Sequence, residues 1–328
     1  MAANQRVISL IQLDSLTILP SRVRLCSLSL ALSLRALFPV VLMRTVFWED
    51  NTLKMINQRC LPASLEVISI HTCHEVGIAI KDMTVRGAPA IGAAAAFGLA
   101  LAAFESRAKS PLSLLADLEA AARILKAARP TAANLSWALE RVLRTVRGAV
   151  EEKNLEELRL LVLDEAQRIA NEDVEVNKRI GKQGAELIDD GDTIIHHCNT
   201  GALAAVDWGT ALGVIRTAHI QGKHVHVLVD ETRPRLQGSR LTAWELQQYG
   251  IPYEIISDSM AGYFLRTGQA QKVFFGADRI AANGDVANKI GTYMLALAAH
   301  DNGVPVYSAA PTSTIDLSLA NGSLIPIE

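Results

Sequence analysis

The sequence predicts an α/β protein: a mainly helical first part carrying a small strand section, then a second part built on a mostly parallel sheet. Three observations lead there. From Asp190 onward, short apolar strand-like runs alternate with helical runs, the spacing of strand–helix–strand units joined by right-handed crossovers. Between Thr72 and Gly184 the chain reads instead as successive helices, punctuated at Arg129-Pro130-Thr131. In the second part, polar or reactive residues follow strand after strand, at one edge of the predicted sheet. Ligands of open α/β sheets bind beyond the carboxyl ends of the strands.

The 328 residues are enough for two domains, and the 50% hydrophobic content supports sizeable cores. With 32 basic and 34 acidic residues, the formal charge of −2 provides no field that would attract nucleic acid. Cys26, Cys60, Cys73 and Cys198 form no CxxC pair and no regular framework, which argues for a reducing compartment and against a disulfide scaffold or a zinc ribbon. No uninterrupted apolar run of spanning length is expected. A soluble, cytoplasmic protein without membrane contact follows as the expectation.

Residues 1–42 read as an atypical leader outside the fold. Arg6, Arg22, Arg24 and Arg35 stand there against a single acid, Asp14. That composition resembles a transit or signal peptide, or an artefact upstream of a true start at Met43. Residues 43–184 form the predicted helical part. Two short strands flank the turn residues Asp50-Asn51, and a third strand, Leu65 to Ile70, leads into a helix from Thr72 to Met83. A small-residue helix is expected over Ala93 to Phe104, with Pro89 suited to its first turn. Helices over Leu112–Ala128 and Leu135–Val150 follow, and a charged linking helix runs from Glu152 to about Gly184.

Residues 185–328 form the predicted sheet part. Its strands are Thr193–His197, His224–Val229, Tyr253–Ile256, Val273–Gly276 and Pro305–Ser308. Helices are expected over Ala202–Ile220, Leu241–Tyr249, Ser259–Thr267 and Ile290–His300.

Several residues on this frame have the chemistry of a site. Asp278 stands at the end of a buried strand, facing Asn288-Lys289 at a helix start; an Asp there also serves simply to cap a turn. Arg86-Gly87-Ala88 precede a helix N-terminus, where free N–H groups and the macrodipole favour an anion and minimal side chains allow close approach. The same small residues serve ordinary helix packing. Arg129, in a helix junction, could face a phosphate or complement a helix C-terminus. Cys198 follows a strand and precedes a helix start, a setting that favours a thiolate, although a buried Cys is also a small core hydrophobe. Strand alternation turns His197 away from Cys198, so His197 is not assumed to be its base. Arg233 and Arg235 suit phosphate through their planar forks, or else pair with neighbouring acids. His224 with His226, and His71 with Cys73 and His74, lack a closed ligand pattern, so no metal site is expected.

Taken together, RGAPAIG, HCNTGALA, DETRPRLQGSRLTAWEL and GADRIAANGDVANKIGTYMLALAAH resemble the motifs of the methylthioribose-1-phosphate isomerases, aldose–ketose isomerases of methionine salvage. The resemblance runs from Met43 to the last residue. That family shares its fold with ribose-1,5-bisphosphate isomerases and with regulatory subunits of the eukaryotic translation-initiation guanine-exchange factor. The resemblance implies a Rossmann-like second domain, a homodimer, a small sugar-phosphate substrate and no cofactor. By matching motif it implies Cys198 and Asp278 as the catalytic pair. It implies Arg86, Gly87, Ala88, Arg129, Gln237, Asn288 and Lys289 as the substrate-binding residues; position alone gives no reason to single out Gln237. A hydrophobic pocket including Trp48 is expected for the methylthio group. The chain stops at Ile325-Pro326-Ile327-Glu328, short of where family members continue, so a C-terminal truncation is also expected. Two other readings stay open: a ribose-1,5-bisphosphate isomerase, and a non-catalytic subunit that binds a sugar phosphate or nucleotide.

Overall fold

Strand pairing comes first in the chain. In the computed structural model, which describes residues 44–130 and 132–327, β1 (Val46–Glu49) runs antiparallel to β2 (Thr52–Ile56), which pairs with β3 (Val67–Ile70). Asp50 and Asn51 have φ of 52° and 57°, the positive values that a two-residue hairpin turn requires to match strand twist. The leader expected over residues 1–42 lies outside the described residues.

Five helices follow in order with clear local causes. In α1 (Cys73–Lys81), Thr72 and Glu75 form a reciprocal capping box, and Asn154 with Glu157 does the same for α5 (Leu155–Ala185). Between them lie α2 (Ala88–Glu105), α3 (Pro111–Ala128) and α4 (Ala133–Arg147). Among the described residues, α2 has the length and hydropathy of a membrane-crossing helix, yet 72% of it is buried inside the fold. It packs against α1, α3, α4 and α5 and forms the axis of the first core, with Phe97 and Leu99 fully enclosed. Burying each such side chain contributes about 1.5–3 kcal/mol.

The second part is a five-stranded sheet in the order β10-β7-β4-β5-β6, every neighbour parallel. The strands are β4 (Thr193–His196), β5 (His226–Asp230), β6 (Tyr253–Ile256), β7 (Lys272–Phe275) and β10 (Val306–Ser308). Helices α6 (Ala211–Ile220), α7 (Ala243–Tyr249), α8 (Ala261–Arg266) and α9 (Thr292–Asp301) connect them. Alternation along the strands feeds two cores. Ile194, Val227 and Phe274 pack with α6, whereas Ile195, Leu228, Val273 and Phe275 pack with α8 and α9. Both faces are covered, as a parallel sheet demands. A small side sheet, β11-β8-β9, joins Ile315–Asp316, Arg279–Ala281 and Val286–Ala287 beside the carboxyl end of β7.

Two elements depart from the sequence reading. α2 begins at Ala88, five residues before the expected start at Ala93, because Gly87 serves as its N-cap and Pro89 fits the first turn. The helix expected over Ala202–Ile220 is broken into a single turn at Ala202–Ala204 and α6. The intervening segment doubles back, with Gly209 bridging to Gly201 and Thr210 N–H donating to the Thr200 carbonyl at 2.8 Å. Trp208 anchors that reversal: its ring lies 4.2 Å below the Arg216 guanidinium, and its Nε1 donates to Thr217 Oγ1 at 3.0 Å. Tertiary contacts override an apolar run that looks helical on its own.

Candidate active site

From β4 the chain proceeds to β5 and β6, then returns to lay β7 on the opposite side of β4. The crossovers therefore diverge between β4 and β7, which opens a crevice at their carboxyl ends. Cys198 lies two residues past β4 and Asp278 three residues past β7, at the ends of adjacent strands. Between them is a cavity of about 560 Å³. Its lining includes Arg86, Gly87, Ala88, Arg129, Cys198, Gln237, Asp278, Asn288 and Lys289.

The N-terminus of α2 opens onto this cavity. Gly87 has φ +93°, and a Cβ there would lie 2.2 Å from the Ala204 carbonyl oxygen, so only glycine fits between the helix and the loop that follows Cys198. Arg86 is buried beneath, its Nη1 donating to Asn199 Oδ1 and its Nη2 to the Asn199 carbonyl, both at 2.9 Å. Arg129, at the C-cap of α3, borders the same space, and its charge adds to that of Arg86.

Cys198 is held in a left-handed backbone conformation, φ +68°, uncommon outside glycine. Its N–H donates to Thr232 Oγ1 at 2.9 Å, and its carbonyl accepts from Thr242 Oγ1 at 2.7 Å. Those two bonds fix a strained residue whose thiol borders the cavity. Burial pushes the Cys198 thiol up from its usual value, against the opposing pull of the Arg86 and Lys289 cations. The expected thiolate is thus corrected: desolvation outweighs both cations, and the resting group is a thiol.

Asp278 is exposed at the rim, held by its own N–H donating to the Ala287 carbonyl at 2.8 Å. Gln237 is buried, and its Oε1 has no partner among the described residues, leaving an acceptor available at the cavity wall. It precedes a π-helical turn, Gly238–Thr242, that leads into α7. Asn288 Nδ2 donates to Thr292 Oγ1 at 3.0 Å, securing the Asn288-Lys289 segment to the first residue of α9.

Other residues singled out from sequence lie elsewhere. Trp48 stacks on Phe97 with centroids 6.0 Å apart and does not line the cavity. The apolar wall is formed instead by Met83, Pro89, Ile91, Ala132 and Ala133, with Ile325 and Ile327. Arg233 and Arg235 lie outside the cavity, and neither forms an ion pair among the described residues; the Arg233 N–H donates to Asp258 Oδ2 at 2.8 Å. His224 is an exposed partner of Asp190.

The polar frame beneath the site went unread in the sequence. Glu245, on α7, is buried and accepts from Asn199 Nδ2 at 2.8 Å, Ala202 N–H at 2.7 Å and Tyr249 OH at 3.0 Å. It orders the loop after Cys198 from 47 positions downstream, a pairing that spacing alone does not reveal. His196 is fully buried, which pulls its pKa down to about 3, so it is neutral and bonds Thr200 Oγ1 at 2.9 Å. One group has the donor types of a metal site: ligand atoms of His197, Asp230 and Asp258 lie within 4.8 Å of one another. Here His197 Nδ1 and Asp230 Oδ2 are 2.7 Å apart, hydrogen-bond spacing, and both Asp258 oxygens already accept backbone N–H groups from Thr232 and Arg233.

Fold and cavity define an α/β protein with a cation-lined pocket at the switch point of a parallel sheet. Residues 84–328 match the Initiation factor 2 subunit family, and the chain belongs to that family. It is 52% identical over 286 residues to the methylthioribose-1-phosphate isomerase of Desulforamulus reducens, covering 87% of this chain and 82% of that one. The solved 5-methylthioribose 1-phosphate isomerase of Pyrococcus horikoshii OT3 is 48% identical, with a TM-score of 0.83 over 88% of this chain and 80% of that one. A structure described as the translation initiation factor eIF-2B, subunit delta, from A. fulgidus is 46% identical, with a TM-score of 0.78 over 87% of this chain and 82% of that one.

Proposed function

We propose that this chain is an aldose–ketose isomerase that converts 5-methylthioribose 1-phosphate to 5-methylthioribulose 1-phosphate in methionine salvage. One observation carries the reading to the level of residues: a thiol, a carboxylate, three phosphate-capable cations and an apolar wall share one cavity. The two isomerases named above, more than two thirds of whose length is matched, support the same activity.

The chemistry accounts for each residue type. Phosphate on the anomeric oxygen prevents spontaneous ring opening, so the ring oxygen must be protonated as its bond to C1 breaks. Asp278 supplies that proton, and its carboxylate then accepts the proton of the C2 hydroxyl as the C2 carbonyl forms. The hydrogen on C2 passes to C1, either as a hydride moving directly or as a proton that Cys198, once ionised to its minor thiolate form, takes from C2 and returns to C1 through an enolate-like species. Arg86, Arg129 and Lys289 hold the phosphate with the N–H groups of α2, while Gln237 and Asn288 bond sugar hydroxyls. The reaction is redox-neutral overall and calls for no cofactor. The methylthio group rests on the apolar wall, which favours this substrate over one carrying a second phosphate at C5.

We also infer a homodimer. Tyr293 and Met294 on α9 and Tyr263 on adjacent α8 are 74%, 67% and 61% exposed, a grouping of large apolar side chains suited to burial against a second copy. Cytoplasmic placement is supported by Cys60, Cys73 and Cys198, all free thiols.

The decisive assay is turnover of methylthioribose 1-phosphate by the purified chain, beside ribose 1,5-bisphosphate, with ketose formation read by NMR. Selective conversion of the first is expected. Conversion of the bisphosphate alone would move the enzyme to another pathway, and conversion of neither would favour a non-catalytic binding subunit. Light scattering should give twice the chain mass; a single-chain mass would remove the dimer.

A further inference from the structure

His197 is the first residue past β4 and the immediate neighbour of Cys198, yet its ring faces away from the cavity and is completely buried. Nε2 lies 2.9 Å from the carbonyl oxygen of Ile290. A carbonyl can only accept, so Nε2 carries the hydrogen. Nδ1 lies 2.7 Å from Asp230 Oδ2, at the carboxyl end of β5. Asp230 is 1% exposed, and its Oδ1 has no other partner among the described residues, so its polar contact is directed at this imidazole.

Ile290 follows Asn288-Lys289 directly. Its own side chain is 74% exposed, so the backbone carbonyl, not apolar packing, ties this segment to the sheet. The next residue, Gly291, has φ +101°, and a Cβ there would meet His197 Cε1 at 2.7 Å. The segment therefore lies flat on the imidazole, an approach open only to glycine.

We infer that His197, braced by Asp230, is a positioning residue: its bond to the Ile290 carbonyl sets Lys289 and Asn288 across the cavity from Cys198. One ring thereby links the strand end bearing the thiol to the segment bearing the ammonium. The inference rests on the isomerase reading, which gives Lys289 and Cys198 a common substrate.

Two substitutions separate the contacts. The amide nitrogen of His197→Gln takes the place of Nε2 and keeps the bond to Ile290, whereas that of His197→Asn takes the place of Nδ1 and keeps only the Asp230 side. Losing the Ile290 bond in His197→Asn should raise KM for methylthioribose 1-phosphate ~10–100-fold, with a smaller change in kcat. The His197→Gln variant should stay within about threefold of the parent KM, as expected when a hydrogen bond is retained. Amide hydrogen exchange at Ile290 to Thr292 should quicken in His197→Asn while the core of α2 stays protected. Equal KM values in both variants and the parent, beside a raised KM in Lys289→Ala, would overturn the positioning role. In the unmodified protein, nitrogen-15 spectra should show one imidazole whose Nε2 proton exchanges slowly with solvent; its absence would overturn the role even if the variants do not fold. An inactive parent protein would count instead against the isomerase reading.

Discussion

Arg86 grips Asn199 at two points, Nη1 on Oδ1 and Nη2 on the main-chain carbonyl, each at 2.9 Å. The two residues are 113 positions apart, and the clamp joins the entrance to α2 to the loop that follows Cys198. Lysine supplies the charge without the planar fork. Arg86→Lys should therefore lower kcat/KM ~10–100-fold and also lower the melting temperature, since a buried charge-assisted pair is broken. Steady-state kinetics with a thermal melt tests this; an unchanged melting temperature would show that the clamp is not structural.

Asp278 differs in being exposed and free of structural side-chain bonds among the described residues. Asp278→Asn should keep the fold and the substrate affinity while kcat falls ~10²–10⁴-fold, the usual worth of a positioned acid–base group. Calorimetric titration beside the turnover assay separates the two. Near-parental kcat in this variant would remove Asp278 from the proton transfers.

Because burial raises the Cys198 pKa, the thiolate is a minor species near neutrality. Alkylation of Cys198 by iodoacetamide at pH 8 should be slower than that of a free thiol and should accelerate as pH rises. Peptide mass mapping distinguishes it from Cys73, whose thiol burial pushes up to about 12. Fast alkylation at pH 7 would show that the two cations prevail over burial. Turnover in heavy water adds the mechanism: deuterium appearing at C1 of the ketose would assign a proton route, and retention of the C2 hydrogen is the outcome expected of a resting thiol.

Asp173, on α5, accepts the Val206 N–H at 2.8 Å, but burial raises its pKa from 3.8 to about 6. The folded protein holds the proton more tightly than the unfolded chain, so this group's contribution is full below about pH 4 and fades as pH rises through about 6. Asp173→Asn keeps an acceptor for Val206 without the charge. It should be more stable than the parent at pH 8 by about 1–2 kcal/mol, discounted for partial solvent contact, and the difference should vanish near pH 4. Denaturant melts at both pH values measure it; a constant difference would place the effect elsewhere.

What could be read in the sequence was local. Strand runs such as Tyr253–Ile256 and helix starts such as Thr72 carry their signals within a few residues, and the strand-end positions of Cys198 and Asp278 follow from them. What could not be read was long-range. The segment at 205–210 looks helical until Trp208 meets Arg216, and Trp48 has the right type for a ligand pocket until Phe97 claims its face. Glu245 and Asp230 resemble ordinary surface acids in the sequence; only the fold brings their partners, Asn199 and His197, to them. The desolvation of the Cys198 thiol is hidden for a related reason, since neighbouring cations are visible as letters and burial is not.

The 31-residue helix α5, roughly 46 Å long, enters the first core through Leu158, Val162, Ile169 and Val174 and reaches the second through Ile180 and Ala185. A single rod shared by both cores cannot loosen at one end without loss of packing at the other. Denaturation of the helical and sheet parts is thereby coupled into one cooperative step, and the cavity is lost only when the whole body unravels.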